Sequence, residues 1–381
     1  MTMAIASTGS RTIAERFLRL NWGVICLLLA LAFVGVAMHF SVSSGEWTDM
    51  PLKHGSRFLL MAAFMIAAAV FLDARFWMMI AYPFYGVAII MLVLVEAIGA
   101  TRMGAQRWLD LGPISLQPSE FMKIAIVLAL ARYYHQLDPK RTGTVLWIIP
   151  PLLMIAAPVG LVMHQPDLGT AMLIAFAGVA MMFMGGLLWR IILVGFGAFL
   201  GVAWFAYNHI LHGYQRNRID VFLGIADDPL GAGYHVLQSK IAIGSAGFFG
   251  RGYQQGTQSQ LDYLPEKNTD FIFTMIVEEF GLFGGCVVLA LYGLLMFLAI
   301  RVAMRARTMF GKLATAGVAA TLASYVFINT SMVIGLAPVV GIPLPMISFG
   351  GTAMMTLLAG FAIVLSIDLH RDQAGARGLL W

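Results

Sequence analysis

Four ionisable side chains stand where an otherwise apolar chain rarely carries charge: Glu120, Lys123, Asp167 and Asp270. Each lies at the opening of a long apolar run, in Gln117-Pro118-Ser119-Glu120 with Lys123, in His164-Gln165-Pro166-Asp167, and in Asn268-Thr269-Asp270-Phe271. A carboxylate within reach of a substrate hydroxyl can take its proton, which typically contributes about 10²–10⁴-fold in rate. A cationic side chain, a helix N-terminus or a bound divalent ion, Mg²⁺ or Mn²⁺, would offset charge on a departing phosphate. The set therefore suits transfer chemistry on a substrate with an anionic leaving group. The same charges would also serve a transporter or flippase that holds a charged head group.

Each residue has a plainer reading as well. Acids in a first helical turn meet free backbone N–H groups, and that alone would account for Asp270 and for Asp167 beside Pro166. Glu120 and Lys123, three apart on one helix face, would as a surface pair be worth only a few tenths of a kcal/mol. Ionisable groups at membrane depth are costly to keep, so the functional reading gains weight if these runs cross a bilayer.

Composition says that they do. Of 381 residues, 60% are hydrophobic and only 11% charged, far from the soluble average of roughly 25% charged. Apolar runs cover approximately 22–40, 56–72, 76–97, 119–135, 144–163, 168–186, 191–208, 271–300, 312–334 and 347–367. About 20 apolar residues cross a bilayer as a helix, which predicts an all-α integral membrane protein, a polytopic bundle of about ten helices. The runs are continuous, whereas a transmembrane barrel needs alternation at period two. No linker divides the chain, so residues 1–381 are expected to form one membrane domain. Arg11, Arg16 and Arg19 precede a first run too long for a signal peptide, which reads as an uncleaved first helix.

Basic residues in short loops set the orientation. With the N-terminus cytoplasmic, Arg75, Lys140, Arg141, Arg190, Arg301, Arg305, Arg307 and Lys312 fall inside, as do Arg371 and Arg377 of the tail. Both termini are then cytoplasmic, and helices 4, 6, 8 and 10 all begin on the outer, periplasmic face, bringing Glu120, Lys123, Asp167 and Asp270 to one side. The net charge of +5 reflects this bias and contact with anionic lipid, and gives no reason to invoke nucleic acid.

The longest connection, about 209–269, lies between helices 7 and 8 and is far longer than an ordinary loop, which is usually a sign of function. It keeps aromatic and β-branched residues and delivers Asp270 to the first turn of helix 8. Within it, 238–250 could form an amphipathic helix in the outer interface with Lys240 at head-group level. Loop 98–118 is dense in polar and aromatic residues and should place Trp108 at the interface. Loop 41–55 reads as a connector. Cys26 and Cys286 fall inside predicted spans as packing residues, and the scattered histidines, His39, His54 and His164 among them, lack zinc-ligand spacing. Glu278 and Glu279 lie about two turns beyond Asp270, roughly 12 Å deeper. They keep the transporter alternative open, whereas the near absence of charge in the inner halves of the spans favours a transferase. A scaffold that only recruits other proteins would tolerate loss of Asp270.

Several motifs in order resemble the SEDS family of bacterial cell-wall polymerases. They are Gly104-Ala105-Gln106-Arg107-Trp108-Leu109, Gln117-Pro118-Ser119-Glu120 with Lys123, Gln165-Pro166-Asp167-Leu168-Gly169, Leu264-Pro265-Glu266 followed by Thr269-Asp270-Phe271-Ile272-Phe273, and Pro343-Leu344-Pro345 with Ser348-Phe349-Gly350-Gly351. Residues 238–245 and 256–261 are similar to its elongation branch more than to its division branch. The resemblance implies a ten-helix fold and a peptidoglycan glycosyltransferase that polymerises lipid II. It also implies partnership with a class B penicillin-binding transpeptidase of the elongation machinery. It gives Asp270 the essential carboxylate role and Glu120, Lys123 and Asp167 supporting roles in a cavity, with Arg107 and Gln117 of the same motifs beside them. The chain departs from the pattern at Asn268, where a histidine is expected.

Overall fold

The structure, a computed structural model, describes residues 12–102, 105–110, 115–141, 144–209, 213–225, 232–260, 264 and 266–371. Arg11, Gly104, residues 261–263, Pro265 and Arg377, named above, lie outside the described residues.

A short helix α1 (Ile13–Leu18) leads into α2 (Trp22–Val42), α3 (Asp49–Phe71), α4 (Ala74–Ile98), α5 (Pro118–Gln136), α6 (Val145–His164), α7 (Leu168–Met184) and α8 (Trp189–His209). Three shorter helices follow, α9 (Gly213–Phe222), α10 (Ala232–Ser245) and α11 (Thr257–Gln260), and then α12 (Ile272–Arg305), α13 (Met309–Val333) and α14 (Gly351–Leu369). Helices thus occupy all ten predicted runs. Among the described residues seven are long and apolar enough to cross a membrane: α2, α3, α4, α6, α12, α13 and α14. Of the other three, α5 carries Glu120, Lys123 and Arg132, α7 has 17 residues, and α8 spans Trp189–His209.

Boundaries moved where local chemistry outweighed hydropathy. Asp49 and Pro51 start α3 seven residues before its apolar run, because an acid and a proline both suit a first helical turn. The connector shrinks accordingly to 43–48. Loop 98–118 folds into a small antiparallel sheet, β1 (Ala100–Arg102), β2 (Ala105–Asp110) and β3 (Ser115–Leu116), in the order β1-β2-β3. This is an addition to the all-α expectation. The amphipathic segment of the long connection begins at Ala232, six residues earlier than expected, and packs on α12 and α13 through the buried Ser239 while Lys240 stays exposed.

At one end of the bundle, polar bonds hold the beginning and the end of the chain together. Asn21 Nδ2 donates to Asp368 Oδ2 (3.1 Å), Trp77 Nε1 to Ser366 Oγ (3.2 Å), and Ser366 Oγ to the Leu72 carbonyl (2.5 Å). The centre is α13, which packs against α5, α7, α12 and α14. Close approach relies on small residues: a Cβ at Gly317 would stand 2.5 Å from Met181 Sδ and 2.6 Å from Val127 Cγ1. Small residues at helix contacts are what packing within lipid requires, since lipid tails are as apolar as the side chains.

Helix α12 is one run in sequence with a break inside it. Gly281 has φ 69° and ψ −168°, outside helical space, a backbone state that glycine adopts without steric cost. The carbonyls freed at the break are taken up by the preceding loop. Arg251 N donates to Glu278 O and Gly252 N to Glu279 O, both at 3.0 Å, while Leu282 N and Phe283 N reach back to Gly247 O (3.1 Å) and Phe248 O (3.0 Å). The approach is so close that a Cβ at Gly250 would overlap the Glu279 carbonyl.

Candidate active site

The turn at 266–271 is built before α12 starts. Thr269 N and Phe271 N both donate to Glu266 O at 3.2 Å, and Thr269 Oγ1 donates to Glu266 Oε2 at 2.7 Å. Phe271 is the N-cap of α12 and makes no side-chain cap bond, so Asp270 stands one residue before the cap and two before the helix. This corrects the expectation of a first-turn acid.

Three carbonyls of this turn are held from neighbouring elements. Phe349 N donates to Asn268 O (2.8 Å), Ser348 Oγ to Thr269 O (2.5 Å), and Asn329 Nδ2 to Asp270 O (2.8 Å). Asn329 also donates to Ile342 O (2.7 Å), so one amide on α13 ties the turn to the irregular segment 334–350. The half-buried Asp270 side chain lies against Gly341, where an added Cβ would sit 3.3 Å from Oδ2. Gly341 has φ 73°, so the close approach and the backbone both favour glycine there.

The other face of the same segment meets α7. A Cβ at Gly169 would stand 2.6 Å from Val340 O. Asp167 is the N-cap of α7, its Oδ1 accepting from Thr170 N at 3.1 Å, as the plainer reading of that residue anticipated. It does more than cap: Arg107 Nε lies 3.8 Å from Asp167 Oδ2 and 3.4 Å from the Gln165 carbonyl, and Arg107 Nη2 donates to the Pro166 carbonyl. Gln165 Nε2 donates to Leu92 O (2.8 Å) and fixes the loop from the α4 side. Strand β2 thus delivers Arg107 to the opening of α7, and residues 340–342 separate that opening from Asp270.

One helical turn from Asn329 along α13, Tyr325 faces the third group. Lys123 Nζ donates to Glu120 Oε1 at 2.7 Å and to the Tyr325 hydroxyl, which in turn donates to Glu120 Oε2 at 3.1 Å. All three are buried, Lys123 with 1% of its surface exposed. The Asp167 carboxylate is within electrostatic reach of Tyr325, which joins this triad to the α7 opening. A sealed, hydrogen-bonded ion pair of this kind is expensive to break, about 3–5 kcal/mol when one partner is removed. Gln117 is the half-buried N-cap residue of α5, without a side-chain cap bond.

The sequence-predicted residues therefore converge at one end of α5, α7 and α12, arranged around the C-terminal half of α13 and segment 334–350. Tyr325, Asn329 and Gly341, which join them, were not singled out from the sequence, although Tyr325 and Asn329 at i and i+4 form a polar stripe in an apolar run. Glu278 and Glu279 are buried and committed elsewhere. Glu278 Oε1 accepts from Gln258 N (2.9 Å) and Thr257 Oγ1 (3.2 Å) at the start of α11, and Glu279 Oε1 from Ser41 Oγ (2.5 Å). Among the described residues no group of three or more His, Cys, Asp or Glu side chains could hold a metal ion.

Comparison with known proteins identifies the family of the chain. A family model described as a cell cycle protein, of the FtsW, RodA and SpoVE type, matches residues 19–373. The peptidoglycan glycosyltransferase MrdB of Escherichia coli K12 is 44% identical over 358 residues, 92% of this chain and 94% of that one. A solved chain from work on the structural coordination of polymerization and crosslinking by a peptidoglycan synthase complex superposes with a TM-score of 0.80. It is 31% identical, with 93% of this chain and 99% of that one covered. The rod shape determining protein RodA of Thermus thermophilus superposes with a TM-score of 0.67 at 28% identity, covering 93% and 98% of the two chains. With a family model spanning nearly its whole length and relatives matched end to end, the chain belongs to the SEDS family, the group of FtsW, RodA and SpoVE.

Proposed function

We infer that this chain is a peptidoglycan glycosyltransferase of the elongation type, and that it polymerises lipid II. The observation that carries the mechanism is the placing of Asp270. It is a carboxylate two residues ahead of α12, on a turn held at three successive carbonyls, at the end of the bundle where Arg107, Asp167 and the Lys123 triad converge. A base must be held in register with the proton it takes, and misplacement by about 1 Å can cost roughly 10²-fold.

Asp270 takes the proton of the 4-hydroxyl on the acceptor GlcNAc. The freed oxygen forms its bond to C1 of the donor MurNAc from the face opposite the pyrophosphate. The bond from C1 to undecaprenyl pyrophosphate breaks with inversion, and the leaving group departs with the electron pair. Burial of Lys123 against Glu120 and Tyr325 shifts direct contact with the pyrophosphate towards the half-buried Arg107, whose planar guanidinium suits phosphate oxygens. Lys123 and Glu120 then hold Tyr325 and the packing of α5 on α13. A divalent cation, Mg²⁺ or Mn²⁺, would draw on Asp270 together with substrate phosphates, the usual arrangement for Mg²⁺, and would neutralise charge on the leaving group.

A groove of about 150 Å³ between α4, α5 and α14 supports a lipid-linked substrate. It is lined by Trp77, Phe84, Phe121, Ile124, Met355 and Ile363 and includes Glu120. Both termini are cytoplasmic in this reading, and the site faces the periplasm. The relative whose structure couples polymerization to crosslinking supports a crosslinking partner here, a class B penicillin-binding transpeptidase. Polymerisation of labelled lipid II by the purified protein, with and without that partner, tests the reading. Glycan strands from the wild type and none from Asp270→Asn at equal folding are expected, and full activity of Asp270→Asn removes Asp270 from the mechanism.

A further inference from the structure

Histidines 39 and 54, scattered in sequence, meet in the fold. His39 on α2 and His54 on α3 are fully buried, at 0% and 1% exposure, with ring centroids 4.7 Å apart and planes at 62°. His54 donates from Nε2 to the Met346 carbonyl at 2.9 Å, which fixes its ring. The His39 ring also meets Phe349, at 5.7 Å and 84°, and Arg57 covers the same phenyl ring with Cζ 5.3 Å from its centroid. The α2–α3 hairpin therefore presents two imidazoles to segment 334–350 at the residues that hold the Asp270 turn. The room is tight: a Cβ at Gly35 would stand 2.7 Å from His54 Nε2 and 2.8 Å from Met346 O.

Beyond its ring contacts, His39 faces the Ile347 backbone and the side chain of Asn268. Although both are polar neighbours of His39, no bond at normal hydrogen-bond geometry reaches either of its ring nitrogens or the buried Oδ1 of Asn268. A neutral imidazole carries one N–H, and an amide oxygen accepts. Two complementary polar groups left open against each other in a dry place are costly, and buried polar groups normally close such bonds. Asn268 is two residues before Asp270. The described bonds on carbonyls 268, 269 and 270 all come from α13 and segment 334–350, whereas His39 approaches from α2. A turn tethered from one side can rock about its tethers, and a bond from the other side stops it.

We propose that His39 is a positioning residue for Asp270: it donates a ring N–H to Oδ1 of Asn268, and closure of this bond sets the turn that aims the carboxylate. The proposal rests on the assignment of Asp270 as the base. The test uses the purified full-length chain on labelled lipid II, with Asp270→Asn run alongside. His39→Phe keeps the ring packing and deletes both nitrogens, and Asn268→Leu deletes the acceptor at similar volume. Each is expected to lower kcat about 10-fold at unchanged KM, the double variant to lose no more than either single one, and His39→Gln, which keeps an N–H donor, to stay within about 3-fold of wild type. Unchanged kcat in either single variant, losses that multiply in the double variant, or a change confined to KM would overturn the proposal. Should His39→Phe not fold, Asn268→Leu on its half-buried turn decides the matter alone. An active Asp270→Asn removes the base assignment itself; an inactive one with full activity at positions 39 and 268 removes only the positioning role.

Discussion

Helices α13 and α4 both have 25 residues, yet they live in different surroundings. In its central stretch α13 is 67% buried and α14 78%, against 22% for α4 and α6. The buried α13 is the less apolar of the first pair, carrying Thr315, Thr321, Tyr325 and Asn329 inward. Lipid accepts apolar surface without penalty, so polar and small residues mark the inside and uniform Leu, Ile and Phe mark the outside. In α13 the inward polar side chains include Tyr325 and Asn329, which reach the Lys123 triad and the Asp270 turn.

The sharpest test of that contrast is chemical. Asp270→Asn is expected to lower lipid II polymerisation by roughly 10²–10⁴-fold with a melting temperature close to wild type, which a rate assay and thermal unfolding in detergent measure together. Next comes the sealed pair. Lys123→Met leaves Glu120 buried and unpaired and should cost about 3–5 kcal/mol, whereas Lys123→Met with Glu120→Gln should recover much of it; full stability of the single variant would show the pair to be hydrated. Third, Gly317→Ala places a methyl against Met181 and Val127 and should cost about 1–3 kcal/mol, while Gly86→Ala and Gly160→Ala on α4 and α6 meet nothing within 4 Å and should leave unfolding unchanged or raised by up to ~1 kcal/mol. The smallest effect belongs to the exposed pair of Lys53 and Asp49, 2.6 Å apart, where Lys53→Met should give no measurable change in unfolding. If Gly86→Ala proved as damaging as Gly317→Ala, the division into inner and outer helices would fail.

Much of this was legible in sequence because it is local. Continuous apolar runs placed the ten helices, and acids beside Pro118 and Pro166 placed two N-termini. What stayed hidden depends on distant contacts. No local pattern sets the side chain of Asp270 against Gly341, or His39 against His54 across two helices. The run 271–300 reads as unbroken because the non-helical φ and ψ of Gly281 go with a loop that docks on it from far along the fold, and no local pattern announces that contact. The sequence points to Asp270 as a first-turn acid, whereas the helix begins two residues later, because the turn at 266–271 is closed on Glu266 O first.

That docked loop changes what the interruption in α12 means. Bending at Gly281 would first have to part four backbone hydrogen bonds to residues 247–252, so the joint is stiffer than a free glycine and behaves as a scarf joint does in carpentry, two tapered pieces sharing one load. Because Glu278, on the same joint, grips the first turn of α11, a tilt of the membrane-embedded half of α12 would drag that strap with it. A movement within the bilayer would thereby reach α11, the last helix before the Asp270 turn.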